Sequence, residues 1–98
     1  MVVHAGKNLK IEVETRSRNE VKEVLEAGGV DFIMLDNMSL EEMKKAVMMI
    51  DGKIKTEASG NINDHNIRDV ALCGVNFISV GAITHSIKSM DISLKAEI

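Results

Sequence analysis

The sequence predicts an α/β fold, a partial parallel βα barrel of about four βα units followed by a short C-terminal strand. Three observations carry this. Short β-branched runs begin at near-equal intervals, at Lys10, Asp31, Lys53 and Asn76. A segment of helical periodicity fills each gap, and capping residues and glycines bracket those segments. A strand and a helix in every repeat of roughly 22 residues leave too little chain for hairpins between them, so the strands are expected to be parallel with right-handed crossovers.

The strands are expected at Lys10–Glu14, Asp31–Leu35, Lys53–Glu57 and Asn76–Val80. Val21, Val24 and Leu25 mark the first helix, Leu40, Met43, Val47 and Ile50 the second, and Ile67, Val70 and Ala71 the third. Ser17 with Glu20, and Ser39 with Glu42, have the spacing of a capping box, in which serine and glutamate each satisfy a backbone N–H. Gly28, Gly52 and Gly74 stand where the helices should end. Val2-Val3-His4-Ala5 reads as the last turn of a helix closed by Gly6. An internal echo, Gly29–Asp36 against Gly74–Gly81, recurs at a separation of 45 residues, two βα units. It fits either a duplication or two glycine-ended helices each leading into a buried strand.

At 98 residues the chain is read as a single partial domain, because four units close only part of a barrel. The expectation is a fragment of a larger TIM-like barrel, or a half-barrel completed by self-association. Twelve basic against fifteen acidic residues, with no basic run, argue against nucleic-acid binding by phosphate neutralisation. No apolar run reaches the roughly 18 residues of a membrane span, and the N-terminus has no signal-peptide pattern. With a lone cysteine, Cys73, a reducing cytoplasmic setting is expected. Cys73 is expected to be buried and inert, most of the seven methionines to lie on core faces, and His4 and His65 to lie at the surface.

In parallel βα folds the chemistry sits at the C-terminal ends of the strands. There the sequence places Glu14, then Asp36-Asn37, then Glu57 with Ser59-Gly60-Asn61, and then Gly81 with Thr84-His85. Glu14 and Asp36, on adjacent strands, can share a Mg²⁺ ion, which needs only one or two carboxylates beside water and substrate phosphates. Alternatively Glu14 pairs with Arg16 or Arg18, and Asp36-Asn37 caps the next helix. Glu57 is read as structural, fixing a neighbouring loop by accepting backbone N–H bonds. Ser59-Gly60-Asn61 and Gly81-Ala82 are small-residue loops able to cradle one phosphate, or ordinary turns. His85, near a helix start, can donate to that phosphate or act as a general acid, or serve as a structural donor.

Five motifs then appear in order: Ile11–Glu14, Ile33–Met38, Glu57–Asn61, Gly74–Ser86 and Asp91–Lys95. The set resembles the quinolinate phosphoribosyltransferase family. The resemblance implies transfer of a phosphoribosyl group from phosphoribosyl pyrophosphate to quinolinate with decarboxylation, giving nicotinate mononucleotide, pyrophosphate and CO₂ for NAD synthesis, in a homo-oligomer. It implies that Glu14 and Asp36 bind the Mg²⁺-bound phosphoribosyl substrate, and that Ser59, Gly60, Gly81 and His85, with Asn61 assisting, surround its 5-phosphate. It also implies that the N-terminal domain and early strands, with the basic cluster that grips quinolinate, are absent, so these 98 residues alone are expected to be inactive. Two alternatives are a non-catalytic remnant that acts through self-association and a molybdenum-associated relative of the same family.

Overall fold

The computed structural model describes residues 2–5 and 10–88. The elements are β1 (Val2–Ala5), β2 (Ile11–Thr15), α1 (Arg18–Ala27), β3 (Phe32–Asp36), α2 (Leu40–Ile50), β4 (Lys55–Ser59), α3 (Ile67–Leu72), β5 (Phe77–Val80) and β6 (Ile83–Ser86). Among the described residues the strands form one sheet in chain order; β2 to β5 run parallel, and β1 and β6 are antiparallel edges. The four expected strands and three helices are therefore present, and Asp91–Lys95 lies outside the described residues.

Two expectations are corrected. Val2–Ala5 is a strand, with Val3 opposite Val13, not the last turn of a helix. Two consecutive valines are stiff at χ1 and suit an extended chain beside an open sheet edge. The segment beyond Gly81 is likewise a strand, folded back on β5 with Val80 opposite Ile83.

The sheet has two unlike faces because side chains alternate along every strand. Val13, Ile33, Leu35, Ala58 and Ile78 bury one face against Val21, Val24, Met43, Ala46, Ile50 and Val70 of the helices. The other face carries Glu14, Met34, Glu57 and Phe77 at one level, and Asp36 beside Ser59 at the next level towards the strand ends.

Helix starts explain the register of these strands against their helices. Ser17 Oγ accepts the N–H of Glu20 at 3.2 Å, and Ser39 Oγ that of Glu42 at 3.2 Å. The return half of each box differs from expectation: Glu20 reaches past the cap to the N–H of Arg16, at 2.7 Å, and Glu42 turns instead to the Arg18 guanidinium.

The 45-residue echo has a shared structural use. Asp31 Oδ2 accepts the N–H of Ile11 at 2.8 Å, and Asn76 Oδ1 accepts the N–H of Thr56 at 3.0 Å. In both repeats a short polar side chain just before a strand clasps the start of the preceding one. Phe32 and Phe77, the next residue in each copy, meet edge to face at 5.9 Å.

Candidate functional site

Asp36 ends β3 directly opposite Ser59, the last residue of β4, so parallel pairing brings two loops together at one rim. Ser59 Oγ donates to Asp36 Oδ1 at 3.1 Å, and Arg16 Nε donates to Asp36 Oδ2 at 3.3 Å. The Asn37 N–H donates to the Ser59 carbonyl at 2.8 Å, and Asn61 Nδ2 to Asn37 Oδ1 at 2.7 Å. Asn37 and Asn61 both hold left-handed backbone, with φ of 57° and 55°. Asparagine tolerates that region better than other side chains, and such strain gathers where a loop must hold one shape. Arg16, Asp36, Asn37, Gly60 and Asn61 line an open cleft of about 470 Å³, within the range of small-molecule sites.

Of the expected site residues, the rim thus gathers Asp36, Ser59, Gly60 and Asn61. Gly81 is the first residue beyond β5, at the same end of the sheet. Glu14 lies one step lower: it pairs with Met34, two residues before Asp36, and faces the same side of the sheet. Its expected partners are engaged elsewhere, Arg16 with Asp36 and Arg18 with Glu42. The helix cap next to Asp36-Asn37 is Ser39.

His85 does not join them. A two-residue turn, Gly81-Ala82, sends the chain back so that His85 pairs with Ile78. Directly opposed residues share a face, and Ile78 is buried under the helices. His85 therefore stands on the helix side, below the rim, and not at a helix start. Gly-X is the residue chemistry of a type II′ hairpin turn, and Gly81 has the required positive φ, 63°.

Glu57 is buried, as its structural reading requires, but its partners are hydroxyls and not backbone N–H groups. Ser79 Oγ and Thr84 Oγ1 both donate to Glu57 Oε2, and the two hydroxyls lie 3.1 Å apart. One carboxylate so ties β4 to both strands of the hairpin. Cys73 is buried, and loss of solvent pushes its thiol above the usual range.

Among the described residues no group of three or more His, Cys, Asp or Glu converges to hold a metal ion. A Mg²⁺ ion that keeps water and phosphate ligands needs no such cluster, and Glu14 and Asp36 stand on the same face of adjacent strands, two residues apart in register. Arg16 was expected only as a partner for Glu14. The usable signal was its place directly after β2, where the chain leaves the sheet at the rim.

Comparisons with known proteins agree on one family. The family described as quinolinate phosphoribosyl transferase, C-terminal domain, matches residues 2–95. The chain is 47% identical over 107 residues to the chloroplastic, carboxylating nicotinate-nucleotide pyrophosphorylase of Arabidopsis thaliana, covering 93% of this chain and 31% of that protein. It is 40% identical over 90 residues to a probable nicotinate-nucleotide pyrophosphorylase of Bacillus subtilis, covering 92% of this chain and 31% of the relative. The crystal structure of nicotinate-nucleotide pyrophosphorylase from Ehrlichia chaffeensis superposes with a TM-score of 0.70 at 46% identity, over 76% of this chain and 27% of that one. The chain thus spans under a third of the length of these relatives.

Proposed function

This chain belongs to the quinolinate phosphoribosyl transferase C-terminal domain family, and from that premise we propose that it supplies the phosphoribosyl half-site of an enzyme that joins phosphoribosyl pyrophosphate to quinolinate. The products are nicotinate mononucleotide, pyrophosphate and CO₂. The observation that supports this most is the junction of Asp36 with Ser59 and Gly60 at the C-terminal rim of parallel strands, where βα barrels carry out their chemistry.

Each group at the rim has work to do in such a transfer. Departure of pyrophosphate leaves positive charge on the sugar carbon, and fixed carboxylates at Glu14 and Asp36 stabilise that charge without reorganising. The Ser59-Gly60-Asn61 loop exposes backbone and small side chains to a phosphate, with Gly81 on the neighbouring strand end. Glu14 and Asp36 would hold a Mg²⁺ ion together with the substrate, and the bound ion would supply charge neutralisation for the departing pyrophosphate. Within the cleft, Arg16 is the basic residue, and one guanidinium cannot also grip two pyridine carboxylates. We therefore assign recognition of quinolinate to residues outside this cleft.

Calorimetric titration of the chain with phosphoribosyl pyrophosphate and MgCl₂ tests the reading. Saturable binding is expected, lost on Asp36→Asn with the circular dichroism spectrum unchanged, and no quinolinate turnover is expected from the chain alone. Absence of binding, or binding indifferent to Asp36→Asn, overturns it.

A further inference from the structure

The rim cleft is richer in unused donors than its carboxylate suggests. Both oxygens of Asp36 are already engaged, Oδ1 by Ser59 and Oδ2 by Arg16. Arg16 uses only Nε for this contact, and its side chain is 78% exposed. Among the described residues neither of its terminal guanidinium nitrogens has a protein acceptor. Asn37 has spent its side-chain oxygen on Asn61 and keeps its amide N–H₂. These donors line the same cleft as Gly60.

We infer that Arg16 is a binding residue for a diphosphate anion, with Asn37 as its neighbouring donor. The chemistry decides for an anion. A guanidinium presents parallel N–H groups that match phosphate oxygens, and charge-assisted bonds of this type are the stronger class. The Asp36 charge is offset by the Arg16 guanidinium bonded to Oδ2, and Ser59 donates to Oδ1. The contrast with Arg18 is informative: that guanidinium pairs with Glu42, 3.1 Å away, outside this cleft. The assignment rests on the phosphoribosyl reading and deepens it, since it places the pyrophosphate end of the substrate on the Arg16 side of the rim.

The test is titration of the chain with inorganic pyrophosphate in EDTA, in the native sequence and in Arg16→Gln and Arg18→Gln. Binding is expected to weaken about tenfold or more in Arg16→Gln, consistent with loss of a charge-assisted pair, and to change less than twofold in Arg18→Gln. No binding by the native chain, or equal losses in both variants, overturns the proposal. A parallel titration with phosphoribosyl pyrophosphate and MgCl₂ separates the two readings. If that ligand binds through Asp36 while Arg16→Gln changes nothing, Arg16 loses its role and the proposed function stands. If pyrophosphate binds through Arg16 and phosphoribosyl pyrophosphate binds no better, the role of Arg16 stands and the proposed function falls.

Discussion

Gly60 and Asp36 touch so closely that no side chain fits between them: a Cβ built on Gly60 falls 3.0 Å from Asp36 Oδ1 and 3.0 Å from the Asn37 backbone nitrogen. The neighbour that would have to move is backbone held by the Asn37 to Ser59 hydrogen bond. Gly60 also has φ +85°, outside the comfortable range of any L side chain. Gly60→Ala is therefore expected to lower stability by about 1–3 kcal/mol and to displace Asp36 from Ser59. In a urea titration the midpoint should fall, and affinity for phosphoribosyl pyrophosphate should fall further than the same loss of stability elsewhere would cause. An alanine variant with native affinity would mean that the loop shape does not matter to the site.

Glu57 supports a prediction of a different kind, because its carboxylate serves the hydroxyls of two strands at once. Glu57→Ala strips Ser79 and Thr84 of their acceptor and is expected to cost about 1–3 kcal/mol. Glu57→Gln retains a carbonyl oxygen and should lose much less. Hydrogen exchange is the informative readout: protection should drop first in Phe77–Val80 and Ile83–Ser86, while β2 and β3 keep theirs. A uniform loss across the sheet would show that the network does not act on the hairpin.

Acid stability follows from Glu20. The Arg16 N–H, bonded to its carboxylate, holds Glu20 below its ordinary value of 4.5. A depressed carboxylate stabilises the fold above its unfolded pKa, and that contribution disappears as pH falls through the folded value. The chain should therefore lose stability on acidification below about pH 4.5. Glu41, lowered by Lys45, adds to the same limb. Glu20→Gln should flatten part of this slope while leaving the pH 6–8 region level. An identical acid limb in the variant would assign the loss to other carboxylates.

The reach of the sequence is clearest at its two failures. The four inner strands and three helices were legible because their periods are written in side chains: valines and isoleucines alternate where one face meets helices, and Ser17 and Ser39 announce helix starts. Val2–Ala5 and Ile83–Ser86 are four residues each, too short for period 2 to be told from one helical turn. What makes them strands is pairing with β2 and β5, a tertiary cause. The misplacement of His85 followed from that error alone, since one hairpin turn decides which face and level it occupies. Asp36, Ser59, Gly60 and Asn61 were legible as a group because parallel neighbours deliver their ends to one rim. The partnership of Arg16 with Asp36 was not, because Glu14 is nearer in sequence and nothing local ranks the two carboxylates.

Asp51 closes α2 in left-handed backbone, φ 50° and ψ 44°, while its N–H still bonds to the Val47 carbonyl at 3.0 Å. Two physical effects act against an aspartate there. A side chain in that conformation carries a steric penalty that glycine avoids, and a negative charge meets the negative end of the helix dipole, with no basic residue in the last turn to offset it. Glycine adds freedom to the unfolded chain, which takes back part of the gain. Asp51→Gly is therefore expected to stabilise the protein by about 0.5–1 kcal/mol. Asp51→Ala removes the charge but keeps a Cβ in a region that alanine tolerates less well than aspartate, so it should not stabilise. Urea midpoints should rank glycine above aspartate above alanine. A glycine variant below the native chain would mean that the aspartate side chain contributes a contact outweighing both costs.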